Sequence, residues 1–402
     1  MFAGAVGSRC AQRSLALALV FAILASPALA EAQTLKKYRR WLFGVGAAVA
    51  VSASVYAFNK GSSVKSVCSS RDCVAIASGV MGGIVGYLIG AELDSRYVRR
   101  MAAGPSLKYD FLDVPLDLVP DRMAGFSGGA AVIGLGGARV VLRDGTVISR
   151  GSGVRGIEDS AVLPELDLLV LSTFSNLIGF PLEDDSAQGQ VIDERGGSTM
   201  GTFDSHLAVA GTDSLRLLQV RRQDDEISLA RVGAFEQSDF VTGIEFSHYG
   251  RVGWVLAEDR LSSYTPSLER LGEVTLPAAG RSVRAGGSRL AVAAGTRGVF
   301  VLDATDPQVP HVVSEYTGVR FAYAADVAGD LLYIAAGSEG MAVVDVSGSE
   351  PQVVGVAREV RFVTDVVVDD SGVVWILDRD GQSIQITELN VERVAGAKNP
   401  AR

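Results

Sequence analysis

Leu290-Ala-Val-Ala-Ala-Gly295 leads into Gly298-Val-Phe-Val-Leu-Asp303-Ala-Thr-Asp-Pro307. The same text returns as Leu332-Tyr-Ile-Ala-Ala-Gly337, followed by Gly340-Met-Ala-Val-Val-Asp345-Val-Ser-Gly-Ser-Glu-Pro351. Leucine, both glycines and the aspartate recur at an offset of about 42 residues, the length of one four-stranded propeller blade. Each copy is an apolar run, a glycine turn and a second apolar run ending in Asp. That is the pattern of two paired strands and the turn that closes them.

Working outward, equivalent apolar anchors stand at Val132-Ile-Gly-Leu, Leu169-Val-Leu-Ser, Leu207-Ala-Val-Ala, Trp254-Val-Leu-Ala, Leu290-Ala-Val-Ala, Leu332-Tyr-Ile-Ala and Trp375-Ile-Leu-Asp. Their spacings, roughly 36 to 47 residues, suit four-stranded blades. Several anchors are followed by a second run, as at Leu215-Arg-Leu-Leu-Gln-Val220, Val299-Phe-Val-Leu302 and Ile384-Gln-Ile386. The first and last of these alternate apolar with polar, the period-two mark of a strand covered on one face. No segment after Asp113 has a sustained helical period. The expectation is an all-β, seven-bladed propeller over residues 114–392.

The blocks from Gly295 to Pro310 and from Gly337 to Val354 resemble the LVIVD repeat family. In that pattern an apolar strand ends in Asp, followed by small residues and then Pro. Phe300-Val-Leu-Asp303 and Val343-Val-Asp345 carry its core, with Pro307 and Pro351 as its prolines. Leu215 to Val220 matches only in strand pattern, and the first two blades and the last are more degenerate. The resemblance implies a β-propeller, often on exported or surface proteins of prokaryotes, and no single activity.

The front of the chain carries an address. Arg9 and Arg13 precede the apolar run from Leu15 to Leu24, and Ser26-Pro-Ala-Leu-Ala30 ends in an Ala-x-Ala cleavage pattern. Charged start, short apolar core and small-residue exit read as a signal peptide over residues 1–30. Two apolar stretches follow, at residues 41–58 and 74–91, each near the lower length limit for a membrane-crossing helix. Gly82, Gly86 and Gly90 would share one helix face, where absent side chains let another backbone approach closely. This stretch resembles the glycine-zipper segments of bacterial envelope proteins. In water each internal glycine costs a helix about 1 kcal/mol, so membrane insertion is favoured over a soluble hairpin. A homo-oligomer through the glycine face is the partner state this would allow.

Residues 31–100 therefore read as a glycine-rich helical hairpin, a membrane anchor, joined to the propeller by a linker at 101–113. Lys36-Lys-Tyr-Arg-Arg40 and Arg96-Tyr-Val-Arg-Arg100 flank the hairpin, and the positive-inside rule would draw both ends to the cytoplasm. The signal peptide points the other way, and its three parts in correct order outweigh the flanking charge. Cys68 and Cys73, in Cys-Ser-Ser-Arg-Asp-Cys, close a small disulfide loop in an exported setting. A metal site is the alternative, but two thiols with no histidine nearby leave a tetrahedral ion short of ligands.

Composition excludes some partners. The formal net charge is -9, which argues against broad nucleic-acid binding, since a duplex demands a basic footprint. Between Val114 and Asn390 there is no lysine, so arginine carries every positive side chain there. His206, His248 and His311 are the only histidines. Each lies beside a predicted strand in a different blade, as structural histidines do. There is no Walker loop or ligand-spaced His/Cys cluster, and Gly134 to Gly137 is a turn with no helix after it. No cofactor or metal is expected. Asp303 and Asp345 read as turn formers whose carboxylates accept local amides. Glu183-Asp-Asp185 and Asp224-Asp-Glu226 read as solvated loop tips.

One further repeat concerns the channel. Val319-Arg320-Phe321 and Val360-Arg361-Phe362 recur near blade starts, followed by Asp326 and Asp365. Inner strands line a propeller's channel, so Arg320, Asp326, Arg361 and Asp365 are candidate channel-lining residues. They would either bind an ion or small anion, or satisfy one another and neighbouring backbone. The functional expectation is an exported, membrane-tethered propeller that binds or scaffolds envelope proteins, with residues 393–402 as a disordered tail. Its rival is an envelope enzyme of the polysaccharide lyase or hydrolase type, working at the channel mouth. That enzyme would need clustered carboxylates and a histidine converging in one pocket.

Overall fold

The computed structural model describes residues 104–389 apart from 183–187, 225, 237–238 and 248–251. The signal peptide, the hairpin with Cys68, Cys73, Gly82, Gly86 and Gly90, and the tail at 393–402 all lie outside these residues. Among the described residues, no helix is long and apolar enough to cross a membrane.

Seven four-stranded antiparallel sheets follow one another along the chain. Blades 1 to 6 span residues 119–150, 157–193, 199–236, 241–275, 282–316 and 324–357, each a simple meander from inner to outer strand. Blade 7 takes its inner three strands from Val363–Val368, Val373–Asp378 and Ser383–Glu388, and its outer strand from Leu112–Pro115. This closing strand pairs Leu112 with Ile386 and Val114 with Ile384. The first and last strands of the propeller thus share one sheet, and the ring has no open blade edge left at its junction. Part of the segment expected as a linker is therefore strand. Leu107 is also buried, and its N–H donates to the Val356 carbonyl.

All seven sequence anchors fall in the same place, the second strand of their blade. Such a strand has hydrogen-bonded neighbours on both edges and another blade on each face, so it is apolar without interruption. Residues 168–173, 253–257 and 373–378 are buried throughout. Side chains alternate between the two neighbouring blades: Leu290 and Val292 pack with blade 4, Ala291 and Ala293 with blade 6. Among the described residues the core divides into seven clusters, one per blade junction. Trp254 and Trp375 are the largest wholly buried side chains, each contributing on the order of 3 kcal/mol by area.

The repeated glycines sit in the turns between second and third strands. Gly295 and Gly337 have φ of +57° and +60°, and Gly298 and Gly340 of +81° and +92°. A Cβ on Gly298 would stand 1.9 Å from the Tyr316 carbonyl oxygen, and one on Gly340 2.0 Å from that of Ala357. Left-handed backbone and contact with the outer strand both demand glycine here. Gly295 and Gly337 also pair across blades, with Ala322 and Val363. Asp303 and Asp345 act as turn formers, accepting the N–H of Thr305 and Ser347, each at 2.8 Å. These bonds hold both carboxyls below the ordinary carboxylate range.

Candidate functional site

In an up-and-down ring every connection between blades falls at one end of the channel, together with the turns joining second to third strands. We call this the upper end. The turns joining first to second and third to fourth strands form the lower end. The sequence of the inner strands decides what the channel holds between them.

Inner strands carry polar residues because one of their edges faces the channel rather than a fifth strand. Asp326, on Ala324–Ala328 of blade 6, accepts the N–H of Val327 at 2.7 Å and of Val368 in blade 7 at 2.8 Å. Asp365 of blade 7 accepts Val366 and, across the closing junction, Met123 of blade 1, both at 2.9 Å. Asp159 of blade 2 accepts Ser160 and Met200 of blade 3 in the same manner, at 2.9 and 2.7 Å. Each carboxylate therefore staples its own strand to the next blade, satisfying amides that no ladder reaches. Burial raises all three carboxyls, Asp326 to about 6, against the lowering effect of Arg284 or Arg122 and of the backbone bonds.

Arg284, on the inner strand Ser282–Gly286 of blade 5, crosses the channel. Its guanidinium donates to the Met123 carbonyl of blade 1 at 3.0 Å. It lies 3.7 Å from Asp365 and 3.8 Å from Glu245 of blade 4. This bar divides the channel into an upper vestibule of about 370 Å³ and a lower one of about 730 Å³, with Arg284 and Glu245 lining both. The lower mouth carries Glu165, Asp204, Asp369 and Asp370. Among the described residues Glu245 has Arg284, at 3.8 Å, as its ionic partner, and burial pushes its carboxyl from 4.5 to about 8. Nothing in the sequence pattern marks Glu245 or Arg284. Their blades lack the Arg-Phe repeat, and a charged residue in a short strand reads as surface.

Glu245 binds its proton more tightly in the folded protein than in the unfolded chain. Stability is therefore full below about pH 4.5 and declines as pH rises toward 8. Replacing Glu245 with Gln is expected to flatten that decline by about 1–3 kcal/mol, the channel's water reducing the full value. Denaturant melts of both proteins at pH 5 and pH 8.5 measure it; parallel pH curves would contradict the assignment.

The sequence candidates separate. Asp326 and Asp365 face the channel, while Arg320 and Arg361 are exposed on the connections between blades and line neither vestibule. It is their main-chain N–H groups that are engaged, with the carboxylates of Glu339 and Asp378. The phenylalanines of the repeat do not line the vestibule either, but pack beside Tyr323, which does. Phe321, Tyr323 and Phe362 stand in series at centroid distances of 4.6 and 5.2 Å. Arg281 lies over Phe321 at 5.2 Å and Arg379 over Phe362 at 4.1 Å. Gly295 and Gly337 leave the space these rings fill, with Phe321 and Tyr323 near their missing side chains. The Val-Arg-Phe repeat thus marks the connections between blades at the upper end, where its phenylalanines flank Tyr323.

Neither described histidine converges on the channel: His206 stacks on Phe203 at 4.8 Å and His311 is exposed on an outer strand. His248 lies outside the described residues. Among those residues no His, Cys, Asp and Glu group is arranged to hold a metal ion.

These features define a seven-bladed β-propeller. No family model and no curated protein matches the chain. Solved structures do. A chain of the mitotic checkpoint complex superposes with a TM-score of 0.56 at 12% identity, covering 71% of this chain and 96% of that one. The WD40 β-propeller domain of Doa1 gives 0.54 at 11% identity, covering 71% and 99%. The Swd1 β-propeller domain from Myceliophteria thermophila gives 0.54 at 9%, covering 70% and 100%. At these identities the likeness is one of fold.

Proposed function

We propose that this chain is an exported, membrane-tethered β-propeller of the LVIVD-repeat kind that binds or scaffolds proteins at the bacterial envelope. The observation that carries the binding role is the upper end of the ring. Leu135 and Phe174, in turns of blades 1 and 2, are 78% and 80% exposed, and Phe240, on the connection into blade 4, is 65% exposed. Large apolar side chains held in water on one end of a rigid ring are the chemistry of a protein-binding surface. The solved propellers of like fold include one crystallised within a checkpoint complex, which supports the same reading by analogy of fold. The export signal supplies the address, and the apolar hairpin the tether.

A photo-activated cross-linking residue in place of Phe174 or Phe240 is expected to give discrete higher-mass adducts in illuminated cells. At Val313, on the outer strand of blade 5, it gives none. Adducts of equal yield at all positions, or at none, would contradict the assignment of this surface.

A further inference from the structure

We propose that the upper vestibule of the channel is a carboxylate-binding site, held by Arg281, Arg379 and Arg122, which line it. The inference is independent of the scaffolding role, since the site is built whether or not a protein docks around it. The carboxylate has two sources, a free small acid or an acidic side chain of a partner segment.

The mouth is unusual in an acidic protein. Arg281 and Arg379 bracket the Phe321–Tyr323–Phe362 series, one at each end. Stacking on a ring fixes a guanidinium's plane and leaves its N–H edge free, the fork that carboxylates accept in pairs. Among the described residues Arg281 lies over a ring rather than in an ion pair. Arg379 pairs with its exposed neighbour Asp380, at 3.2 Å, and Arg122 with Asp121, at 3.9 Å, while also acting on the Asp159 and Asp365 carboxyls. Exposed pairs of this kind are weak and exchange readily for a ligand.

Inside, Tyr323 lines the vestibule together with Arg281 and Arg379. The acids of the floor are already engaged, because Asp159 and Asp365 are occupied by amides of their own and the next blade. Glu245, protonated at neutral pH, adds no charge. Asp121 at the rim disfavours a dianion, so a singly charged carboxylate on an apolar stem beside Tyr323 suits the site better than phosphate.

Isothermal titration of the full chain at pH 7 and low salt tests this with two singly charged probes, pentanoate and an acetylated, amidated Gly-Glu-Gly peptide. At least one is expected to bind with Kd at or below about 1 mM. Arg281→Gln and Arg379→Gln each weaken it about tenfold, the ratio expected for loss of one charge-assisted hydrogen bond. Arg297→Gln removes the same charge from the upper end, where Arg297 pairs with Glu315 at 3.1 Å, and leaves affinity unchanged. Binding of the peptide alone assigns the carboxylate to a protein segment; binding of pentanoate assigns it to a free acid. No heat from either probe at about 10 mM, some ten times the expected Kd, overturns the proposal. So does an equal loss with Arg297→Gln.

Discussion

Arg216→Ala is expected to lower the unfolding free energy by about 3–5 kcal/mol, the usual consequence of removing one partner from a buried ion pair. Arg216, on the third strand of blade 3, is 3% exposed. It reaches back to blade 2, where it bonds Asp193 at 2.5 Å and the carbonyls of Arg195 and Gly196 at 2.8 and 2.9 Å. The truncation leaves the Asp193 carboxylate and two carbonyls without their donor, in a place that water reaches poorly. It also frees the connection from blade 2 to blade 3. Equilibrium denaturation measures the loss. A companion Asp193→Asn should recover part of it, because the two effects share one interaction and do not add. A cost below about 1 kcal/mol, typical of a surface pair, would show that the guanidinium is solvated and that the blade 2–3 junction is looser than described.

Gly340→Ala is expected to cost about 3 kcal/mol or more, since it combines left-handed strain with a collision against main chain. The glycine has φ of +92°, and its added Cβ would lie 2.0 Å from the Ala357 carbonyl oxygen. That oxygen belongs to the outer strand of the same blade and cannot swing away as a side chain would. Gly153→Ala provides the comparison: φ is +89°, but nothing lies within 4 Å of the new Cβ. Only backbone strain applies there, about 1–2 kcal/mol. Thermal melts of the two variants separate the contributions. Equal destabilisation would mean that the outer strand of blade 6 yields easily, and that the repeated glycine answers to the turn alone.

These two positions also mark how much of the molecule is legible in its sequence. Gly340 is part of the repeat, and its recurrence with Gly298 can be read from the residues alone. So can the seven anchors, because a second strand has no solvent-facing side and its composition shows nothing else. Asp303 and Asp345 are equally readable, since their role is local. The closing strand at Leu112–Pro115 is not, because a short outer strand paired to the far end of the chain carries no local mark beyond four residues. Arg216, Arg284 and Glu245 are not legible either. Each is a charged residue in a strand whose burial depends on a neighbouring blade, and a single sequence records no such neighbour. At the upper mouth the Val-Arg-Phe repeat stands out, yet its charge draws the inference to Arg320 and Arg361. The aromatic member instead packs where Gly295 and Gly337 leave room for it, a coupling between blades that spacing alone does not reveal.

The vestibules, the stapled inner strands and the exposed upper end all belong to a ring whose proposed place is outside the cytoplasm. That placement rests on the signal peptide against the basic clusters that flank the apolar hairpin. Protease accessibility of a C-terminally tagged chain decides between them, measured in intact cells, after the outer barrier is stripped, and after the inner membrane is opened. An exported propeller is cleaved before the inner membrane is breached, and that is the expected result. Protection until that membrane breaks would contradict it, and would place the propeller and its partners in the cytoplasm.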